Sequence, residues 1–537
     1  MAPRFATVIG ILVTGYAFLL FHLYQLQLVQ GDYYLARADS QTAASAGLNA
    51  NRGAIYFTNS DAKTLPAAVN QEFPIIYAVP SAVQNPSASA ATLSPILNMS
   101  VSTLKKIFTS GGTYHLLINK ADGSVADGVT NANIKGVYAD YEPARYYPLG
   151  SVGAQVLGYV GPNASGTGMS GHYGVEGFYN SVLNGGQDIT LTLDPNIQAE
   201  AEKILKELVA SNGATGGSVI VEDPQTGKIL AMGGTPSFDP NSYGTSPIAN
   251  FLNTDVQAVY EPGSIFKVLT MAAGIDAGKI TPNTTYDDKG YVNVNKAHIT
   301  NYDYTTHGPY GPGTTMTQVI EHSINSGAIF AENQTTNPIF LSYMKKFGLD
   351  QKTGVDLPGE VTGDLSQLTP KAPQVDWDTA AYGQGAAVTP IGLVQAISAI
   401  ANGGVMMRPY VNAALQPQTI RRVISTSTAI QVTKMMTDAV DLAKVANIDG
   451  YALAGKTGSA YMPDLVHGGY LNQLTDSYIG FGPTSNPKFV AFIRLNTLPV
   501  TALAAESVVP AFKQLSQYLI NYYNIPPDRI TNSVIPQ

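Results

Sequence analysis

Apolar residues run along this chain in three different patterns. The first is a single block: residues 5–23 are dominated by Phe, Val, Ile, Leu, Ala and Tyr, and no Lys, Arg, Asp or Glu stands between Arg4 and Asp32. About 20 apolar residues in a helix cover the hydrocarbon thickness of a bilayer, so the block predicts one membrane-crossing helix. No small-residue cleavage site follows its apolar core, which marks an uncleaved anchor and not a removed signal peptide. Arg4 and the terminal amine, set against Asp32, place the N-terminus inside. Residues 1–30 thus read as a short cytoplasmic N-terminus and a single-pass anchor in the cell membrane, with the rest of the chain extracytoplasmic.

The second pattern covers residues 31–190. Short β-like runs such as 73–79 and 154–160 alternate there with Ser, Asn and Gly, and one helix-like stretch occupies 102–108. This predicts an extended, mostly-β domain. Arg52, Glu142 and Arg145 stand out in it as charges in a charge-poor region, and their ordinary role is interdomain or surface pairing.

The third pattern begins past Gly185-Gly-Gln-Asp188 and mixes both periods. A strand-like 189–193 leads into Asp194-Pro195, which opens a helix with Ile197, Ala201, Ile204, Leu205 and Leu208 at helical spacing and Asn212-Gly213 at its end. Strands at 217–222 and 228–232 flank the turn Asp223-Pro-Gln-Thr-Gly227. Thr389-Pro390 opens a second apolar helix that ends at Asn402-Gly403. Strand-like runs follow at 452–460, 477–481 and 489–495, and an amphipathic helix over 503–523 closes the domain. Two early and three late strands with helices between and after predict an α+β domain over 191–537, a five-stranded antiparallel sheet covered by helices, ending in a short tail.

Composition narrows the function. At 537 residues the chain exceeds one ordinary core. A net charge of −8 with only 13% charged residues provides no basic face for nucleic acid. Cysteine is absent, which excludes disulfides and thiolate chemistry, and the 7 His are scattered without a His-x-x-x-His pair, so neither a metal nor another cofactor is expected.

Candidate chemistry centres on Val259-Tyr-Glu-Pro-Gly-Ser-Ile-Phe-Lys267. Pro262 and Gly263 break the preceding structure, and an apolar run ending at Gly278 predicts a helix from Ser264. Three residues on, at about 100° per residue, Lys267 returns to the face of Ser264. A serine hydroxyl needs such a base, and the lysine serves only if burial or another cation keeps its amine neutral. Ser-x-x-Lys also occurs elsewhere by accident, as at Ser102–Lys105 and Ser485–Lys488, without catalytic company. Downstream of Ser264 lie Ser323-Ile-Asn325, the only Ser-x-Asn in the chain, and Lys456-Thr-Gly458 in strand context. A second Lys-Thr-Gly, 352–354, lies in polar turn-forming sequence and is the weaker candidate.

Ser-x-x-Lys, Ser-x-Asn and Lys-Thr-Gly in this order occur together in penicillin-binding proteins and β-lactamases. The chain resembles the class B penicillin-binding proteins, the monofunctional peptidoglycan transpeptidases, over nearly its whole length: Arg52-Gly-Ala-Ile55, Arg145-Tyr-Tyr-Pro148, Gly174-Val-Glu-Gly177, Thr235-Pro-Ser-Phe-Asp-Pro240, Gly383-Gln-Gly385 and Ala454-Gly-Lys-Thr-Gly458 carry the likeness. It departs at Tyr56–Asn59, where acidic and basic residues are usual, and at Ser459, where Thr is common. Glu261 before Pro-Gly-Ser looks more like the septal, division-type branch than the elongation type.

The resemblance implies an anchor at 1–30, a dimerisation-type pedestal at 31–190 and a transpeptidase domain at 191–537. It implies acyl transfer, in which Ser264 attacks the carbonyl between the terminal D-alanines of a peptidoglycan stem peptide with Lys267 as base. Ser323 would relay a proton to the leaving amine, Asn325 would bond the substrate amide, and Lys456 would support them. Thr457, Gly458 and Ser459 would form the substrate-binding edge, with an oxyanion between the amides of Ser264 and Ser459. Implied partners are stem peptides on lipid II-derived strands, β-lactam antibiotics, the membrane and a polytopic glycosyltransferase. A membrane-anchored carboxypeptidase or β-lactamase shares the three motifs, and a non-catalytic division scaffold shares the anchor and pedestal.

Overall fold

The computed structural model describes residues 2–25, 52–165, 168–464, 466–500 and 503–529. The boundary expected near residue 30 and the tail from 530 onward lie outside these residues. The apolar block forms a helix, α1 (Ala2–Tyr24), on which Leu12, Val13, Phe18 and Phe21 are each at least 60% exposed. Among the described residues no helix is long and apolar enough to cross a membrane. The side chains of α1 are described only from Ile9, so the membrane crossing expected of 5–23 is not established by the fold.

The region that follows is built on one long strand. β1 (Ile55–Thr58) turns into β2 (Thr64–Ala78), which pairs with β1 through its first residues. Further along, β2 pairs on its edges with β3 (His115–Ile118) and β4 (Val137–Tyr146). Three helices, α2 (Pro86–Leu97), α3 (Val101–Phe108) and α4 (Gly123–Ala132), bury Leu93, Leu104 and Val129 against Ile76, Ala78 and Val137 of the sheet. This corrects the mostly-β expectation. Segment 86–97 is rich in Ser and Ala with Pro95 inside it, a composition that reads as loop; burial of Ala90, Leu93 and Leu97 on one stripe makes it a helix. β5 (Tyr159–Pro162) pairs with β6 (Met169–His172), and β7 (Ile189–Thr190) joins β1 in parallel.

Of the three charges expected at a surface or interdomain pairing, Arg52 and Arg145 are buried, together with Glu176, whereas Glu142 is only half-buried. Arg52 donates through Nε to Glu176 at 2.9 Å, Arg145 donates through Nε at 2.7 Å, and Arg52, Arg145 and Glu176 are each 3% exposed or less. Two guanidinium groups on one carboxylate leave an excess positive charge, and the amide oxygens of Asn70, Asn180 and Asn184 accept from the Nη1 groups of the two arginines.

In the C-terminal region the sequence signals act as expected. Helix α5 (Pro195–Asn212) starts where the Asp194 carboxylate accepts from the Asn196 and Ile197 amides, with Pro195 at the first position. It ends at Gly213, φ 61°. Its apolar stripe contributes about 1.5–3 kcal/mol for each large side chain it buries. β8 (Gly216–Asp223) and β9 (Lys228–Thr235) form the predicted hairpin. After the buried helix α6 (Phe266–Asp276) come two small two-stranded sheets that the sequence did not announce, β10 (Thr285–Asp288) with β13 (Gly311–Thr315), and between them the hairpin of β11 (Tyr291–Val294) with β12 (Ala297–Thr300). Helices α7 (Asn325–Thr335) and α8 (Pro390–Ala401), the hairpin of β14 (Val405–Met407) with β15 (Thr419–Arg422), and α9 (Thr426–Ala443) lead to the last three strands.

Those strands, β16 (Ala454–Pro463), β17 (Tyr470–Gly482) and β18 (Phe489–Leu498), complete an antiparallel sheet in the order β16-β17-β18-β8-β9. Helix α10 (Val508–Tyr522) starts later than predicted because residues 503–507 form a turn, with the Leu503 carbonyl accepting the Glu506 and Ser507 amides. The apolar run of β18 serves two cores. Phe489, Ala491, Ile493 and Leu495 face α5 and α10, whereas Val490 and Phe492 face α6 and α8. The expected five-stranded sheet covered by helices is therefore present, and β16 is its edge.

Candidate active site

Ser264 lies in a 3-10 turn, Gly263–Ile265, that tightens the entry to α6, one step short of the α-helical start the sequence suggested. The turn can approach the edge strand because two glycines clear the way. Gly263 takes φ 56°, and a Cβ there would stand 2.5 Å from the Ser459 carbonyl oxygen; at Gly458 it would stand 2.3 Å from that of Pro262. The backbone of Ser459 thus lies directly against the turn that carries Ser264.

Lys267 is fully buried, and its Nζ donates to Ser264 Oγ at 3.0 Å. The same amine donates to Ser323 Oγ at 3.2 Å and to the Ser323 carbonyl. From the opposite side Lys456 Nζ donates to Ser323 Oγ at 2.9 Å and to Thr457 Oγ1 at 3.2 Å. Both oxygen lone pairs of Ser323 are therefore taken by amines, and its own proton is free to point at a bound molecule. Ser323 holds this position with φ 58°, a left-handed conformation uncommon outside glycine and frequent at functional sites.

Burial strips water from both amines. It holds Lys267 well below the usual lysine range, with the Lys456 charge pushing the same way and Asp303 opposing. Burial also lowers Lys456, to about 7. Two close amines in a dry site disfavour each other's charge, which is the condition a lysine needs to act as a base.

Asn325 begins α7, and its Nδ2 donates to the Thr300 carbonyl of β12 at 2.9 Å. Behind it, Ser326 Oγ donates to the buried Asp288 carboxylate at 2.5 Å, and Asn301 Nδ2 donates to the same group at 3.2 Å. The small sheets thus brace the Ser-x-Asn segment. Ser264, Ser323, Asn325, Thr457 and Ser459 line one cavity of about 750 Å³. Ser459 turns its hydroxyl away from the cavity, donating to Asp476 Oδ1 at 2.5 Å.

The competing motifs stand elsewhere. Thr353 of the other Lys-Thr-Gly is bound through its amide and hydroxyl to Glu360 at 2.6 and 2.5 Å. Ser102 lies in the first turn of α3, capped by Ser100, and Ser485 lies in a turn beside Asp528. Sequence reasoning missed His298, Tyr302 and Tyr382, which line the cavity, and Asp303 and Asp476, which act on its lysine and serine. Only strand register pairs Asp476 with Ser459, and no local pattern carries that. Among the described residues no group of three or more acidic or histidine side chains could hold a metal ion.

The sequence matches the penicillin binding protein transpeptidase domain over residues 217–517 and the penicillin-binding protein dimerisation domain over 48–220. It is 30% identical to the stage V sporulation protein D of Bacillus subtilis, across 88% of this chain and 78% of that one. It is 25% identical to the peptidoglycan D,D-transpeptidase FtsI of Escherichia coli K12, across 98% and 93%. Among solved structures, penicillin binding protein 3 of Mycobacterium tuberculosis complexed with aztreonam superposes with a TM-score of 0.64 at 26% identity, covering 72% of this chain and 92% of that one.

Proposed function

The chain belongs to the penicillin-binding proteins that join a dimerisation domain to a transpeptidase domain, and from that premise we propose that Ser264 is the residue through which it acts. It is a serine-type peptidoglycan D,D-transpeptidase. The observation that carries the assignment is the 3.0 Å contact between Ser264 Oγ and an amine whose pKa burial holds well below the usual lysine range.

In this reading Ser264 Oγ attacks the carbonyl carbon between the terminal D-alanines while Lys267 Nζ takes its proton. The oxyanion rests between the amides of Ser264 and Ser459, where one such donor is worth about 3 kcal/mol. As the tetrahedral centre collapses, the C–N bond breaks, and Ser323 passes a proton from the lysine pair to the departing D-alanine amine. Asn325 bonds the substrate amide. Thr457 and Ser459 receive the terminal carboxylate, with Lys456 supplying positive charge and Gly458 allowing close approach. An amine of a second stem peptide then attacks the ester carbon and frees Ser264.

We assign residues 1–30 to a single membrane anchor, supported by the charge-free block and the exposed apolar side chains of α1. Residues 31–190 serve as a pedestal and 191–537 as the catalytic domain, extracytoplasmic and in reach of a polytopic glycosyltransferase. Glu261 and the likeness to relatives named FtsI support a septal role.

The fate of the acyl-enzyme tests transfer against hydrolysis. A penicilloyl adduct persists for many minutes, and stem peptide with an acceptor amine gives cross-linked dimer and free D-alanine. Adduct lost within seconds with hydrolysed penicillin accumulating, or D-alanine released without dimer, contradicts the transpeptidase reading.

A further inference from the structure

Asp476 is a buried carboxylic acid to which the acyl transfer gives no task. It stands on β17 directly across from Ser459 of β16, is 0% exposed, and has two hydroxyl partners: Ser459 Oγ at 2.5 Å on Oδ1 and Ser507 Oγ at 3.1 Å on Oδ2. Ser507 immediately precedes α10 and makes no side-chain cap of its own, and its single hydroxyl proton is shared between Asp476 and the Leu503 carbonyl. Asp476 therefore links the exposed serine of the cavity edge to the interior.

A hydroxyl has one proton. While Asp476 is ionised, Ser459 spends that proton inward and shows only lone pairs to the cavity, which repel a carboxylate. If Asp476 carries a proton, its O–H donates to Ser459 Oγ, and the serine proton turns outward. We infer that Asp476 is a positioning residue that couples carboxylate recognition by Ser459 to uptake of one proton from water at Asp476. The inference rests on the reading of the Thr457–Ser459 edge as the place where the substrate carboxylate docks.

The surroundings support a carboxyl able to take that proton. Burial raises its pKa above the ordinary carboxylate range, while the two hydroxyls work against the rise. Across β18 its neighbour is Leu495. Arg494, next along, has its guanidinium 4.9 Å from the Tyr260 ring, toward the other core. On β16, Lys456 directs its amine to Ser323 and Thr457. From the start of α10, Glu506 is exposed, and the helix end presents partial positive charge. None of these charged side chains makes a hydrogen bond to Asp476 among the described residues.

The test is the second-order rate constant for acylation of the full-length protein by a fluorescent penicillin, from pH 5 to pH 9, for wild type, Asp476→Asn, Ser459→Ala and the double variant. The side-chain amide introduced by Asp476→Asn does not titrate and has an N–H able to donate to Ser459 Oγ at every pH, so the ratio of this variant to wild type stays near one at low pH. As pH rises the ratio increases by about tenfold, the worth of one hydrogen bond to a charged group. Taking a ratio cancels the titration of Lys267 and Lys456, which both proteins share. In the Ser459→Ala background the same substitution leaves the ratio flat, which separates the relay from simple removal of a negative charge. Ser507→Ala, which deprives the carboxylate of a donor, moves the rise to higher pH. A ratio that is constant with pH, or an equal rise without Ser459, overturns the inference. Failure of wild type itself to acylate at Ser264 overturns the transpeptidase reading and the inference with it.

Discussion

Ser323 receives two lysine amines on one hydroxyl, and this shared contact makes the residues of the site interdependent. Lys267 must be neutral to accept the Ser264 proton, so acylation rises with pH through the Lys267 pKa, which burial and the Lys456 charge hold below the ordinary lysine range. Lys456→Ala removes one of those two depressing causes, and the rising limb of the pH–rate profile then moves to higher pH. The same substitution slows acylation by about 10²–10³-fold, because a fixed charge aimed at the developing anion is lost. Lys352→Ala, in the motif bound up with Glu360, leaves the rate within about twofold, the range of surface substitutions. Stopped-flow acylation across pH reads both effects. An unshifted limb in Lys456→Ala, or a large loss in Lys352→Ala, contradicts the assignment of the third motif.

At the scale of elements, β8 carries an unusual load. Glu222 is fully buried facing Ser398 of α8, and burial pushes its carboxyl up to about 8. Its folded-state pKa is above the unfolded one, so the folded form holds the proton more tightly. Stability from this group is complete below about pH 4.5 and is lost as pH rises toward 8. Glu222→Gln keeps the group neutral, so its stability relative to wild type grows over that window, by on the order of 4 kcal/mol at the upper end. Thermal unfolding at pH 5 and pH 8.5 measures it; equal differences at both pH values contradict it. The elements that hold the site were legible where local chemistry dictated them. Asp194-Pro195, the 223–227 turn, Thr389-Pro390 and the apolar run of β18 each announced themselves. Helix α2 did not, because its Ser and Ala take their structure from packing on the sheet, and the exposed first half of β17 did not, because it is a strand only through its pairing with β16. Ser264, Lys267, Ser323, Asn325 and Lys456 were legible as motifs. Asp476 and Asp288 were not, because register and hairpin closure bring them to the site across the chain.

Across the whole molecule, the described residues show no clean seam between the regions that match the dimerisation and transpeptidase domains. Ile55, Phe57, Leu157, Val175 and Leu183 share one buried cluster with Phe266, Leu393 and Phe492. Polar contacts cross in the same place: the Gly153 amide donates to Glu202 at 2.9 Å, and the Gly234 amide donates to Gln155 at 2.6 Å. A fragment starting at residue 191 leaves its share of that cluster exposed. Its calorimetric transition is lower than that of the full chain by about 10 °C or more, as expected from losing several buried side chains. A fragment as stable as the full chain contradicts the shared core. The transfer chemistry requires acylation at Ser264, and mass mapping after incubation of the full chain with penicillin decides that most directly. One penicilloyl group is expected on the peptide containing Ser264 and none on the Ser264→Ala protein. A label on Ser102, on Ser485 or elsewhere, or labelling that survives Ser264→Ala, contradicts it.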